Sequence, residues 1–230
     1  MTVKIKRLLL FGPPGAGKGT QAAKVAKRLG IPHIDTGSII RDNIKNNTPL
    51  GVEAKSYVEK GELIPNELVI RLIADRLSQP DAKEGWLLDG FPRSLEQARA
   101  LSSLGPNGGE AVEKVVSLEV DENLLVQRLT SRRICPDCKA VYNVITLKPK
   151  VDGICDKCSG QLIQRPDDNE ESIRTRFRVY HEETAPIADY YREKGLLVSI
   201  DGSGTVEEGT ERIMDALSEK THGCSCCGQR

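Results

Sequence analysis

Residues 12–20 read GPPGAGKGT and stand between an apolar run, Leu8 to Phe11, and a stretch with helical periodicity, Gln21 to Leu29. A buried strand, a glycine-rich loop and a helix in this order are typical of a phosphate-binding loop. The glycines let backbone N–H groups converge on anionic oxygens at the start of the helix, and Lys18 adds a positive charge for the terminal phosphates. The segment therefore predicts that the chain binds a nucleoside triphosphate.

The loop departs from the commonest pattern at the residue after its lysine. Gly12, Gly17 and Lys18 fit G-x-x-x-x-G-K. Gly19, however, stands where Ser or Thr usually touches magnesium, and Thr20 follows one residue later. We therefore expect another residue to help hold the metal. The alternative of a dinucleotide-binding loop, G-x-G-x-x-G, lacks its third glycine at the required distance.

Strand and helix signals alternate along the rest of the chain. The predicted strands are Lys4 to Phe11, His33 to Asp35, Trp86 to Asp89, Lys114 to Val120 and Leu196 to Asp201. Ser94, Asp121 and Thr205 stand where helix N-caps are expected. This alternation predicts an α/β protein, a P-loop three-layer fold in which helices cover a central parallel five-stranded sheet. Two segments interrupt the pattern, a helical one at 37–64 and a cysteine-containing one at 132–168.

The composition indicates one principal domain and argues against several functional classes. The 230 residues suffice for a full core, and 33 basic residues balance 33 acidic ones. No overall field therefore draws the chain to nucleic acid or to an anionic membrane. The basic start leads into an apolar run too short for a signal peptide, and no segment is long enough to span a bilayer. We expect a cytoplasmic protein whose seven cysteines are reduced.

The segment DGFPR, residues 89–93, directly follows an apolar run and places Asp89 at the carboxyl end of a predicted strand. An acid at that position is suited to hold magnesium through water, and the glycine at position 19 makes such an acid more necessary. The alternative is that Asp89 only caps a turn. We expect Asp89 to be a magnesium ligand.

Several arginines stand at the ends of predicted elements rather than on a regular solvated face. They are Arg41, Arg93, Arg132, Arg165 and Arg176. Guanidinium groups bind phosphate oxygens in pairs, and phosphoryl transfer between two anions needs such charges. Any one of these arginines is equally explained as a surface residue. Together with a phosphate-binding loop they indicate phosphoryl transfer.

Two C-x-x-C pairs, Cys135 with Cys138 and Cys155 with Cys158, are separated by sixteen residues. This is the spacing of a four-thiolate zinc site, in which no coordination position stays open for chemistry. We therefore expect a structural metal ion that folds an insertion too small to build its own core. A disulfide pair, unliganded cysteines and iron in place of zinc remain alternatives.

The chain resembles the adenylate kinase family, in its long form with a zinc-bearing lid. The resemblance covers almost everything except the last residues and rests on GPPGAGKGT, IDTGSIIR (34–41), LLDGFPRSLEQA (87–98), SRRICPDC (131–138) and QRPDDNEESIRTR (164–176). It implies a monomer that interconverts ATP plus AMP and two ADP, with magnesium and structural zinc. It also implies a core domain of residues 1–35, 65–131 and 169–220, an AMP-binding helical insertion at 36–64 and a zinc-ribbon lid at 132–168.

The resemblance assigns roles to individual residues. For ATP it implies Gly15, Ala16, Gly17, Lys18, Gly19, Thr20, Arg132, Val141, Tyr142 and Gly204. For AMP it implies Thr36, Arg41, Glu62, Leu63, Ile64, Gly90, Phe91, Pro92, Arg93, Gln97, Arg165 and Arg176. The catalytic group would be Lys18, Arg93, Arg132, Arg165 and Arg176.

The chain departs from the family at two places. Asn143 replaces a frequent His, and Ile145 to Lys150 replaces a commoner aromatic-Asn-Pro-Pro run, which concerns the packing of the lid. The tail at 221–230 ends in GCSCCGQR. Its cysteines, Cys224, Cys226 and Cys227, fit no prenylation signal, so reversible acylation, metal capture or a disordered solvated tail remain open.

Two other functions deserve comparison with ATP-dependent AMP phosphorylation. A GTP-dependent AMP kinase would have the same phosphate loop, because that loop does not distinguish the donor bases. A zinc ribbon that binds nucleic acid or protein under nucleotide control is the second alternative. Against it, residues 132–168 lack a dense basic and aromatic stripe, so no nucleic-acid partner is expected.

Overall fold

A computed structural model of the chain describes residues 5–60, 64–105, 108–164 and 168–218. The strands within these ranges are β1 Arg7–Phe11, β2 His33–Asp35, β3 Trp86–Asp89, β4 Lys114–Glu119, β5 Arg132–Ile134, β6 Val141–Asn143 and β7 Leu197–Asp201. The α-helices are α1 Lys18–Leu29, α2 Thr36–Lys45, α3 Pro49–Lys60, α4 Asn66–Ser78, α5 Leu95–Ser102, α6 Glu122–Thr130, α7 Glu170–Val179, α8 Ala185–Glu193 and α9 Val206–Ser218. A 3-10 turn at Pro80–Ala82 and a π-helical turn at Tyr180–Thr184 complete the list.

Five strands form one parallel sheet in the order β2-β3-β1-β4-β7. The inner strands are almost continuously apolar, and all four residues of β3 are buried. Such runs are typical of parallel strands that are covered on both faces. The predicted fold class is therefore confirmed, with strand bounds that differ from the predicted ones by a few residues at most.

Alternate residues of the strands build two cores, one on each face of the sheet. Leu9 and Leu88 belong to a core completed by helices that include α4, α5 and α8. Leu8 and Leu87 belong to a core completed by α1, α6, α7 and α9. Successive side chains of a strand point to opposite faces of the sheet, so both faces are apolar and both are covered by helices. This gives the three layers of the fold.

Local signals fix where helices begin. The hydroxyl of Ser94 accepts a hydrogen bond from the Gln97 N–H group (3.3 Å), and the carboxylate of Asp121 accepts one from Asn123 N–H (2.9 Å). Thr205 and Glu208 form a reciprocal capping box at the start of α9. The three predicted caps are confirmed.

A second, antiparallel sheet of β5 and β6 belongs to the cysteine-containing segment. Residues 36–60 form α2 and α3, which pack against each other.

The division of the chain into core, AMP-binding insertion, lid and tail stays a prediction, and 221–230 lie outside the described residues. Among those that are described, no helix has both the length and the apolar character needed to cross a membrane.

Candidate active site and metal centre

The phosphate-binding loop connects β1 to α1 and is held against the neighbouring strand. Gly12 has a φ of 139°, and a Cβ atom at this position would lie 2.7 Å from the backbone oxygen of Leu118 in β4. Any side chain there would therefore push the loop away from the sheet. Glycine is needed at position 12 both for its backbone conformation and for this close contact.

Lys18 points back across the loop that precedes it. Its Nζ atom donates hydrogen bonds to the backbone oxygens of Gly12 (2.7 Å) and Pro13 (2.9 Å). The pKa of Lys18 is lowered to about 8; loss of hydration is the largest cause, nearby guanidinium groups act in the same direction, and Asp89 opposes them. Those groups belong to Arg93, Arg176 and Arg132. The site is thus rich in positive charge and suited to phosphate oxygens.

Asp89 ends β3 and lies beside the start of α1. A Cβ atom built on Gly19 would lie 3.2 Å from the Oδ2 atom of Asp89, and the carboxylate is largely buried. The carboxylate therefore occupies the neighbourhood in which a Ser or Thr hydroxyl would otherwise stand. Oxygen ligands of this kind are those that magnesium prefers. The residues present fit the expected ion.

The loop that follows Asp89 is fixed by its own hydrogen bonds. The Arg93 guanidinium donates to the Gly90 carbonyl (2.9 Å), while the Gln97 side chain accepts from Arg93 N–H (2.8 Å). Thr36, at the start of α2, donates its hydroxyl hydrogen to the Asp89 carbonyl (3.2 Å). Phe91 is buried in the core below the loop. Side chains assigned to AMP are thereby connected to the strand that carries Asp89.

Arg41 makes a separate set of contacts. Its guanidinium donates to the Asp35 carboxylate (3.2 Å) and to the Ser38 hydroxyl (2.8 Å). Burial raises the pKa of Asp35, but hydrogen bonds from Ser38 outweigh burial and hold this pKa below its ordinary value. The Arg41 side chain itself is exposed, so its guanidinium is accessible to a bound anion.

Two arginines share one buried carboxylate. Arg132 donates two hydrogen bonds to Asp168, from Nε to Oδ2 (2.8 Å) and from a terminal nitrogen to Oδ1 (2.6 Å). Arg176 donates to the same Oδ1 atom (3.3 Å). The Asp168 side chain is fully buried, whereas both guanidinium groups are partly exposed. Asp168 thus anchors two cations that are both partly exposed.

The four cysteines Cys135, Cys138, Cys155 and Cys158 come together at one end of the β5–β6 ribbon. Their sulfur atoms all lie within 4.8 Å of one another. The closest pairs are separated by 3.4 Å and 3.5 Å, far more than the length of about 2.05 Å of a disulfide bond. Four thiolates at this separation suit the corners of a zinc tetrahedron. In this structure the four cysteines form no disulfide bond with one another.

The two C-x-x-C pairs have the same backbone geometry. Cys135 N–H donates to Ala140 and Cys155 N–H donates to Gly160, both at 2.9 Å. The residue after the second cysteine of each pair, Lys139 or Ser159, has a positive φ near 60°. In the second pair, the Tyr142 hydroxyl lowers the pKa of the Cys155 thiol to about 6, which favours the thiolate form that metals bind.

Residues assigned to the donor nucleoside lie on β6 and on the loop after β7. Val141 is exposed, but the ring of Tyr142 is buried within the lid, so only its backbone can face a nucleotide. Gly204 has a φ of 90°, and a Cβ atom there would lie 2.6 Å from the Glu208 carboxylate. The adjoining Gly202 carbonyl accepts a hydrogen bond from the Arg128 guanidinium (3.0 Å).

A family model and individual relatives place this chain in the same protein family. The sequence model of the family described as adenylate kinase matches residues 10–196. The chain belongs to the adenylate kinase family. An adenylate kinase of Streptomyces avermitilis is 52% identical over 215 residues, which cover 93% of this chain and 98% of that protein. Adenylate kinases of Caldanaerobacter subterraneus subsp. tengcongensis and Carboxydothermus hydrogenoformans are each 49% identical, over 92% and 93% of this chain and 96% and 100% of those proteins.

The expected family is therefore confirmed, and with it the enzyme class, nucleoside monophosphate kinase. The structure brings Asp89, Arg93, Arg132 and Arg176 within electrostatic reach of Lys18. The contacts of Arg41 are with Asp35 and Ser38. Glu62, Leu63 and Arg165 lie outside the described residues, as do Cys224, Cys226 and Cys227. The roles assigned to individual residues stay predictions.

The side chain of Asn143 is held by hydrogen bonds to residues of the lid and to residues at the end of α6. Its side-chain amide donates to the Arg128 carbonyl (3.1 Å) and to the Ser131 hydroxyl (2.8 Å). Its side-chain oxygen accepts from the backbone N–H groups of Ile145 (2.9 Å) and Thr146 (3.0 Å). The departure from the family's frequent His thus gives a well-bonded connection between the lid and the end of α6.

Asp168 has no predicted role. In the sequence it is marked only as the second of two consecutive acids, 36 residues after its partner Arg132 and just before α7. Nothing in that spacing shows that the carboxylate is buried. Its partners become visible only when β5 and the start of α7 are placed side by side.

We predict that Asp168→Asn weakens both the fold and the reaction. The amide loses charge-assisted hydrogen bonds to Arg132 and Arg176, so the free energy of unfolding should fall by about 1–3 kcal/mol. The turnover number should fall by about tenfold or more, because two cations lose their common anchor. Urea unfolding and steady-state kinetics would measure these effects.

The matched control is Asp81→Asn. Asp81 forms a paired contact of the same type with Arg76, but its carboxylate is exposed at the surface. That variant should lose at most about 1 kcal/mol and keep its turnover. Equal effects of the two substitutions would contradict the role given to Asp168.

We also predict that nucleotide binding takes up a proton at mildly alkaline pH. In the free protein the pKa of Lys18 is lowered to about 8, and a phosphate anion beside the ammonium group raises it. Between these two pKa values binding protonates Lys18, so donor affinity falls as pH rises through about 8. Calorimetry at about pH 8.5 in buffers of different ionisation enthalpy should show uptake of roughly 0.7 proton.

Lys18→Arg is the control, because its guanidinium stays charged throughout this range. It should bind nucleotide without proton uptake. Absence of uptake in the unmodified protein would show that Lys18 is already charged before nucleotide binds.

Proposed function

We propose that the protein catalyses reversible, magnesium-dependent phosphoryl transfer from ATP to AMP, giving two ADP, by direct in-line transfer under a closing lid. The observation that carries this proposal is the convergence of Lys18, Arg93, Arg132 and Arg176 with Asp89 at the carboxyl edge of the sheet. Ligands bind at this edge in open α/β sheets. The relatives described above are named adenylate kinases, which agrees with this substrate pair.

Donor binding starts at the phosphate loop. Backbone N–H groups of residues 15–20 face the phosphate oxygens at the start of α1. Lys18 leaves the carbonyls of Gly12 and Pro13 and follows the transferred group. Arg132 neutralises equatorial oxygens that gain charge in the transition state. No covalent intermediate is required, because both nucleotides are bound at once.

Asp89 would hold magnesium through water beside Gly19. Magnesium bound to the nucleotide supplies charge neutralisation at the phosphates. The protein's contribution is a carboxylate of fixed orientation at the end of a buried strand.

Acceptor binding would use the loop after β3 together with α2. Arg41 and Arg93 are the cations assigned to the AMP phosphate, with Arg176 beside them. The Gln97 side chain, already fixed by its hydrogen bonds to Arg93 and Asn66, would read the adenine edge. Thr36 and the Ile64 backbone complete the assigned contacts. Holding two nucleotides in line supplies much of the rate enhancement in such reactions.

Lid closure would exclude water, which otherwise takes the place of AMP as acceptor. The lid carries Arg132, so its movement also completes the catalytic group. The cysteine cluster lies in this segment and, by its donor set, suits a structural zinc ion rather than a reactive metal.

The cellular setting follows from the same chemistry. Reduced C-x-x-C pairs that hold metal are typical of the cytoplasm. We therefore propose a cytoplasmic monomer whose role is adenine nucleotide homeostasis.

The first test is a coupled assay with magnesium, with ATP or GTP as donor and AMP, CMP, UMP or GMP as acceptor. We expect strong turnover with ATP and AMP. Lys18→Met should lower the turnover number by about 100-fold or more, because the transferred group loses its point charge. Lys27→Met, on the exposed side of the same helix, should match the unmodified enzyme.

Two outcomes would contradict the proposal. Selective turnover of GTP with AMP would assign the protein to the sister activity. Near-normal turnover of folded Lys18→Met would refute the role of this lysine.

Metal analysis is the second test. We expect about one zinc ion per chain and, on treatment with a strong chelator, a melting temperature lower by several degrees, since the lid loses its cross-link. Cys138→Ser should lose the metal, whereas Cys226→Ser in the tail should retain it. Iron instead of zinc would contradict the proposed metal, and full metal content in Cys138→Ser would contradict the assigned site.

A further inference from the structure

The hydroxyl group of Tyr142 lies between the lid strand β6 and the cysteine cluster. Its oxygen is 3.5 Å from the Cys155 sulfur and 2.8 Å from the backbone nitrogen of Asp156. The Asp156 N–H group can only donate, so it uses a lone pair of the hydroxyl oxygen. The hydroxyl hydrogen is then free to point at the Cys155 sulfur.

The sulfur of Cys155 therefore has hydrogen-bond donors that differ from those near the sulfur of Cys135. Besides the hydroxyl group, the backbone N–H of Lys157 approaches its sulfur at 3.4 Å. Cys135 occupies the equivalent place in the first C-x-x-C pair. Within the described ranges no side-chain hydroxyl lies within hydrogen-bonding distance of the Cys135 sulfur. Two pairs that share a backbone geometry thus differ in the hydroxyl group beside the sulfur of the first cysteine.

The same tyrosine is also part of the lid's small apolar core. Its ring is buried together with Cys135, Ala140, Cys155 and Leu162. The backbone of Tyr142 pairs with Arg133 in β5, next to Arg132. One side chain therefore contacts both the metal centre and the strand pair that carries an arginine of the active site.

We propose that Tyr142 is a positioning residue of the metal centre, whose hydroxyl group donates to the Cys155 sulfur, orients this ligand and links metal binding to the β5–β6 ribbon. The inference rests on the metal site put forward under the proposed function. Partners of metal ligands commonly change metal affinity by about 10–100-fold when they are removed. A residue assigned to the donor nucleotide thus has its side chain committed to the lid's metal.

Tyr142→Phe in the full-length protein tests this proposal, because it removes one oxygen and keeps the ring. Zinc affinity, measured by competition with a chromogenic chelator, should fall by about tenfold. In the cobalt-substituted protein, the thiolate-to-cobalt absorption band should move to longer wavelength, because the sulfur lone pairs lose a stabilising hydrogen bond. The Michaelis constant for ATP should rise more than the turnover number falls.

Two control variants separate orientation of the ligand from general stability. Tyr190→Phe also loses one hydroxyl hydrogen bond, to Ser102 in the core, and should leave zinc affinity and the cobalt spectrum unchanged. Asp156→Pro removes the N–H donor, and also the carboxylate that accepts from Lys150 N–H (2.9 Å), but keeps the hydroxyl group, at the position where the first pair already has Pro136. Its cobalt spectrum should match that of the unmodified protein.

Three results would overturn the inference. Zinc affinity and a cobalt spectrum in Tyr142→Phe that match the unmodified protein would remove the role of the hydroxyl group while leaving the metal site intact. A shifted spectrum in Asp156→Pro equal to that of Tyr142→Phe would show that the loop, and not the sulfur contact, is what matters. No bound metal in the unmodified protein would reject the metal site itself and the inference with it.

Discussion

The parallel pairing of β1 with β3 is the constraint on which the candidate active site depends. Its register places Leu10 opposite Asp89, so the strand that leads into the phosphate loop ends beside the strand that carries the acid. A slip of one residue would exchange the two faces of β3 and turn the Asp89 carboxylate away from Gly19. The buried side chains on both faces of the sheet oppose such a slip. The position of the Asp89 carboxylate, which we propose holds magnesium, is thus set by apolar packing below it.

Charge balance is the second constraint on this edge of the sheet. Lys18 and three guanidinium groups lie close together, and in the absence of nucleotide Asp89 and Asp168 are the acids that the structure places among them. Asp168 neutralises part of the charge on Arg132 and Arg176. Loss of hydration is the main cause that lowers the pKa of Lys18; the three guanidinium groups add to this effect and Asp89 opposes it. Phosphate oxygens bound beside Lys18 would add negative charge and favour its charged form.

Features encoded by neighbouring residues could be predicted from the sequence. The phosphate loop, the helix caps at Ser94 and Thr205, and the two C-x-x-C pairs all depend on contacts within a few positions. Alternation of strands and helices also predicted the parallel sheet. The pairing of Arg132 with Asp168 and the contact of Tyr142 with Cys155 could not be found in this way. Each joins residues that are 36 or 13 positions apart, and no periodic pattern marks the partners.

The lid has a very small core, although it carries Arg132 and is proposed to close over the nucleotides. Its buried cluster contains five residues, two of which are cysteines of the metal centre. So few apolar side chains do not offset the entropy of ordering the whole segment, and a metal ion held by the four cysteines would supply the missing stability. Described contacts of this segment with the core include polar ones: Asn143 and Gln164 with the end of α6, and Asp168 with Arg176 of α7. A segment that is rigid within itself and hydrogen-bonded to the core at a few points is suited to close as one unit. In the proposed mechanism, a metal ion at the four cysteines would keep the ribbon that carries Arg132 in one shape during lid closure.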